Sequence, residues 1–192
     1  MKKKKVIIGS IVLLPILLVV LLFTWHNASW QKSTDLSHVT LANLKINAPE
    51  ETIKQEHKEL VPNTEYGIIG LNIIPKHGDF KTWWYKGDLS NQFFSIISYR
   101  KKVAAVFLKA LNGNEKYIQY MMINGKNFKG KSVSEISAVF GKNYIIRGAE
   151  QSETYLQYID KIHHLNLTFQ LDDSKKVVGI VFYNSKFISF TP

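Results

Sequence analysis

The chain has 192 residues, with 25 Lys or Arg against 15 Asp or Glu, a net charge of +10 and no cysteine. The lack of cysteine excludes disulfides, lipid attachment through a cysteine, thiol catalysis and cysteine metal sites. Four of the basic residues precede Val6, so the remainder carries 21 positive against 15 negative charges, or +6, scattered through turns rather than gathered into the basic, aromatic-interleaved stripe of a nucleic-acid binder.

Val6 to Trp25, VIIGSIVLLPILLVVLLFTW, is uncharged. At ~1.5 Å of helical rise per residue it matches a hydrocarbon core of about 30 Å, and predicts a transmembrane helix. Lys2 to Lys5 place the N-terminus in the cytoplasm and the chain beyond Trp25 across the membrane. The run exceeds the apolar core of a cleavable signal, and no A-x-A pattern comes after it. An uncleaved signal anchor is the reading, with a cleaved signal as the alternative. The expected layout is a basic tip at 1–5, an anchor at 6–25, a stalk at 26–44 and an extracytoplasmic domain at 45–192. The localisation implied is the cell membrane, single-pass.

The stalk, QKSTDLSHVTLANL in its latter part, has isolated apolar residues without a period. Asn47, Pro49 and Glu50 then predict a helix start running to about Leu60, with Pro62 ending it. A period of two predicts strands at 66–74, 80–85, 93–99 and 102–108, separated by short polar turns as in an antiparallel meander. In the third of these breaks, Arg100-Lys101 forms the turn. Adjacent Trp83 and Trp84 must face opposite sides of their strand.

Residues 116–123 predict a further extended run. In GKSVSEISAVFG, Ser132 and Glu135 form a capping box, Val133, Ile136, Val139 and Phe140 a helical stripe, and Gly141 the stop. Strands are expected again at 144–146, 154–159, 165–171 and 177–183. The expected fold class is α+β: two helix-plus-antiparallel-meander repeats, 45–112 and 113–192, after the transmembrane helix.

The succession WWYKGD, Lys102-Val103 with its apolar strand, GKSVSEISAVFG and LNLTFQLDDSKKVVGIVF resembles the CAP-associated N-terminal domain of Gram-positive bacteria, over about 48–183. The resemblance implies an exported α+β domain, normally beside a CAP domain and without a catalytic role of its own. This chain departs from it in ending at Pro192 without a CAP domain, and in the segment EETIKQEHKEL, which lacks the Gly-closed short helix.

Catalytic chemistry finds no constellation. The Asp residues fall in turns, the serines of 132–137 in a cap or helix, and no nucleophile elbow occurs. His163 and His164, considered with Asp172 or Asp173, point to opposite faces of an extended strand, and His57 and His77 form no helical pair, so no metal or cofactor is expected. Gly125 and Gly130 before a helix do not meet the phosphate-loop pattern. The aromatics are the functional lead, with Trp83, Trp84, Tyr85, Tyr99 and Tyr120 as candidate partner-binding residues. The expected function is a non-enzymatic, membrane-anchored binding module for an unknown protein or cell-envelope component, with no nucleic-acid partner. The alternatives are a cell-envelope enzyme with an unrecognised site and a tandem-repeat enzyme inhibitor.

Overall fold

The computed structural model describes residues 31–63, 73–76, 78–85, 93–110, 115–148 and 154–190. The chain divides into two units, 1–32 and 33–192. Of the first, Gln31 and Lys32 are described; the fold below is that of the second.

Runs rich in β-branched and aromatic residues form strands because such side chains pack well on a pleated surface. In chain order they are β1 (Thr40–Leu41), β2 (Leu44–Lys45), β3 (Leu60–Asn63), β4 (Ile73–Pro75), β5 (Phe80–Tyr85), β6 (Phe94–Tyr99) and β7 (Lys102–Lys109). The series continues with β8 (Met122–Ile123), β9 (Lys126–Asn127), β10 (Ile145–Gly148), β11 (Thr154–Asp160), β12 (Leu165–Leu171), β13 (Val177–Asn184) and β14 (Ile188–Phe190). Two short helices, α1 (Glu51–Glu56) and α2 (Val133–Phe140), and a 3-10 turn at Glu115–Tyr120 interrupt them.

Eight strands make one antiparallel sheet in the order β10-β11-β12-β13-β7-β6-β5-β3. The central β6 is buried throughout, and β7 from Val103 onward. One face packs Trp83, Phe169 and Phe182 together with Ile53 of α1 and Ile136 of α2. The opposite face carries Ile97, Tyr99, Phe107, Val181 and Tyr183, against which Ile73 and Ile188 of the β4–β14 pair are packed. Pro62, which cannot donate to a ladder, sits on edge strand β3 opposite Trp83.

The expected α+β class with two helix-plus-meander repeats is corrected. Strands dominate, the helices are a turn and a half and two turns long, and strands of the two presumed halves are joined by the β7–β13 ladder into one continuous sheet. The physical reason is that α1 is short: helix spans Glu51–Glu56, His57 caps it, and Leu60, the expected last residue of the helix, opens β3 instead. Glu50, expected as a capping-box residue, sits at the N-cap without a side-chain cap bond. Its carboxylate is drawn inward to Lys81 Nζ and Ser98 Oγ, both at 3.0 Å.

The stalk is also corrected from Ser33 onward. Leu36, Leu41 and Leu44 are fully buried, and β1 lies between β2 and β8 in a four-stranded sheet. Residues 116–123 form most of the 3-10 turn and then β8 rather than one extended run. Of the strand expected at 66–74, Ile73 and Ile74 are seen in β4, and the rest lies outside the described residues. By contrast, α2 has the expected capping box, Ser132 with Glu135, and Gly141 closes it.

Among the described residues no helix is long and apolar enough to cross a membrane. The run 6–25 lies outside them. The expected transmembrane anchor, with the membrane localisation and extracytoplasmic placement that rest on it, finds no support among the described residues.

Candidate functional site

The β6–β7 connection is a two-residue hairpin, with Tyr99 paired to Lys102 and both central residues, Arg100 (φ 48) and Lys101 (φ 58), in the left-handed region. Turns of this kind favour Asn-Gly. Two long cationic residues hold it here at a cost of about 1 kcal/mol each. The segment leading into α1 fixes the hairpin end: Glu50 N–H donates to Lys101 O at 2.8 Å, Val103 N–H to Ala48 O at 2.9 Å, and Asn47 N–H to Val103 O at 2.8 Å.

Beside this turn the sheet opens. The β7–β13 ladder stops at the Ala105–Tyr183 pair. A register shift pairs Ile97 with Ala105 but Ser98 with Val103, leaving Ala104 without an opposite residue on β6. The result is a cleft of about 170 Å³ lined by Asn47, Tyr99, Arg100, Lys102, Ala104 and Phe187, with Val103 beneath. Its walls are apolar. Tyr99 stacks on Phe80 at 4.8 Å between ring centroids and meets Phe187 at 4.9 Å. The Arg100 guanidinium lies 5.1 Å from the centre of the Tyr99 ring, in cation–π range. Asn184 closes one side by donating to Asn47 Oδ1 at 2.9 Å.

Of the five aromatic residues singled out in the sequence, this cleft contains Tyr99. Trp83 is 1% exposed, and its Nε1–H donates to Ser98 Oγ at 3.0 Å, so it is core. Trp84 is half-buried, and strand alternation sends it to the other face. The structure brings Tyr85 and Tyr120 together on the helix face, on the opposite side of the sheet from Tyr99.

Tyr85 OH donates to Tyr120 OH at 2.5 Å, and Tyr120 OH to Glu59 Oε1 at 3.0 Å. Buried His57 places Nε2 at 2.8 Å from Ala42 O and Nδ1 at 3.3 Å from Glu59 Oε1. Both ring nitrogens thus face oxygen atoms. Burial and the bond to Tyr120 raise the Tyr85 phenol above its ordinary range. At Glu59 burial opposes ionisation, yet its own backbone N–H, Tyr120 and His57 outweigh it and hold the carboxyl below the usual value. Every member named has a partner, so the cluster ties the end of α1, the turn before β3, β5 and the 3-10 turn together.

His163, weighed in the sequence with Asp172 or Asp173, instead meets Asp160 and Asp35, whose ligand atoms lie within 4.8 Å of one another. Asp160 has no capacity left for a cation. Its Oδ2 accepts Leu36 N–H at 2.9 Å and His163 Nδ1 at 2.8 Å, and its Oδ1 accepts the N–H groups of Ile162 and His163 at 3.0 and 2.9 Å. This is a loop clasp.

Sequence reasoning missed Asn47, Ala104 and Phe187. The one signal available was the Arg100-Lys101 turn, where long cations replace the residues a tight hairpin prefers. Comparison with family models, with curated proteins and with solved structures returns no match for this chain.

Proposed function

We propose that this chain is a non-catalytic binding module whose contact site is the cleft at the β6–β7 hairpin end. The carrying observation is the cleft itself: a recess bordered by the touching Tyr99 and Phe187 rings, with Ala104 in its lining and the cations Arg100 and Lys102 at its edge. At about 170 Å³ it lies below the roughly 300–1,000 Å³ of small-molecule and cofactor pockets. It suits one inserted side chain of a partner, an anchor-in-pocket arrangement typical of interface hot spots. Neither hydrogen-bonded cluster on the helix face supports catalysis, because the acids and bases in them are spent on one another. The resemblance to a non-catalytic CAP-associated domain points the same way and belongs to the same proposal.

A photo-crosslinking amino acid placed at position 102 in the full-length chain, in its native cells, tests the reading. The expected result is one dominant adduct that disappears when Ala104→Leu fills the cleft. Adducts that are absent, or indifferent to Ala104→Leu in a variant of unchanged circular dichroism, overturn it.

A further inference from the structure

The chemistry around the cleft narrows what it takes. Arg100, Lys101 and Lys102 are consecutive and exposed, and Lys186, also exposed, precedes Phe187 in the opposing turn. Among the described residues none of these four cations is engaged in an ion pair. Glu50, whose N–H meets Lys101 O, has its own carboxylate committed to Lys81 and Ser98. Asp79 comes next in register, beside the Phe80–Tyr99 pair, and it too makes no ion pair with them. An apolar recess is thus ringed by positive charge, supplied from both sides and held on a backbone fixed by three hydrogen bonds to residues 47–50.

A bilayer surface and an acidic protein segment both carry negative charge beside apolar groups. A bilayer is met by a convex face whose apolar side chains project. Here the apolar atoms of Tyr99, Ala104 and Phe187 are recessed and the cations stand at the edge, the inverse arrangement. A protruding side chain fits a recess, and carboxylates flanking it fit the cations.

We infer that the cleft receives a protein segment in which acidic residues flank one large apolar side chain, the side chain entering beside the Tyr99–Phe187 contact, against Ala104, and the carboxylates meeting Arg100 and Lys102. The inference rests on reading the cleft as the binding site, and its test separates the two. The full-length chain is presented to a random heptapeptide display library, and in parallel to phosphatidylglycerol vesicles.

The expected result is enrichment of peptides with Asp or Glu around a single Leu, Ile, Phe or Trp. Their binding should weaken about tenfold in the double variant Arg100→Glu, Lys102→Glu, and should weaken with added salt. It should be lost in Ala104→Leu. The charge variant alters exposed residues alone, so it reads the site even where Ala104→Leu fails to fold. Enrichment of basic or uncharged peptides, or none at all, overturns the inference, as does vesicle binding without acidic peptide enrichment. If a position-102 adduct forms in cells while the peptides are not acidic, the binding reading stands and the partner class falls.

Discussion

Asp160 accepts the backbone N–H of Leu36 at 2.9 Å across 124 residues of sequence. Through this bond, and through Thr34 N–H to Ile159 O at 2.9 Å, the segment before β1 is stitched to the end of β11. The Asp160 carboxylate is 1% exposed. Burial opposes its charge, but the N–H groups of His163 and Leu36 and the His163 ring outweigh that and lower its pKa.

A carboxyl with a depressed folded-state pKa contributes stability that is present above its unfolded value, near ~3.9, and is lost as pH falls through the folded value. Asp160→Asn puts an amide NH₂ against an N–H donor, and is expected to cost about 1–3 kcal/mol at neutral pH. Urea unfolding at a series of pH values checks this. The gap between wild type and variant should be widest above about pH 5 and should narrow below about pH 4. A gap independent of pH would mean that the charge on Asp160 is not what holds the segment.

The Tyr85–Tyr120–Glu59 chain should behave as a unit. Tyr120→Phe removes both the bond to Glu59 and the nearer acceptor for Tyr85, whose hydroxyl keeps Glu59 Oε1 at 3.4 Å, whereas Tyr85→Phe removes a single donor. We expect Tyr120→Phe to cost about 1–2 kcal/mol and Tyr85→Phe less. Once Tyr120 is Phe, Tyr85→Phe should cost much less than it does alone, giving a coupling of about 0.5–1.5 kcal/mol in a double-mutant cycle. Strictly additive losses would show that the hydroxyls act separately.

What could be read in the sequence was what is local. The helix at Val133–Phe140 carries its cap and stop within ten residues, although of its expected stripe Ile136 is buried while Val139 is exposed, and β12 alternates apolar with polar residues over its own length. The 33–46 segment was illegible because β1 and β2 are two residues each, too short to show a period, and Leu36 owes its burial to partners beyond residue 150. The start of α1 misled for a similar reason. Asn47 has φ 70 and accepts from Asn184 rather than capping the helix, and Glu50 answers Lys81 and Ser98. The cleft was half legible. Tyr99 stood out by type, while Ala104 and Phe187 join it through a register shift and a ladder end that no local pattern encodes.

Gly179 tests the packing at the middle of the sheet. It sits on β13 between Gln170 of β12 and Lys109 of β7. A Cβ there would lie 2.7 Å from Gln170 Oε1, 3.1 Å from Gln170 Cβ and 3.3 Å from the Leu108 carbonyl oxygen. The Oε1 contact would be cheap to relieve if the amide could swing into solvent, but Gln170 is 4% exposed and has little room. The Gln170 Cβ is fixed by the strand, and the Leu108 oxygen belongs to the backbone of β7, so both must yield by a few tenths of an ångström. Gly179→Ala is therefore expected to destabilise by about 1–3 kcal/mol, the usual cost of overpacking, despite the intrinsic preference of strands for Ala over Gly. Trimming the neighbour in the double variant Gly179→Ala, Gln170→Ala removes the nearest clash and keeps the Cβ in place, so it should recover part of the loss. Thermal unfolding followed by circular dichroism reads both. A Gly179→Ala chain as stable as wild type would show that β12 and β7 can part around a methyl group, and that the glycine is not required by the close approach of its neighbours.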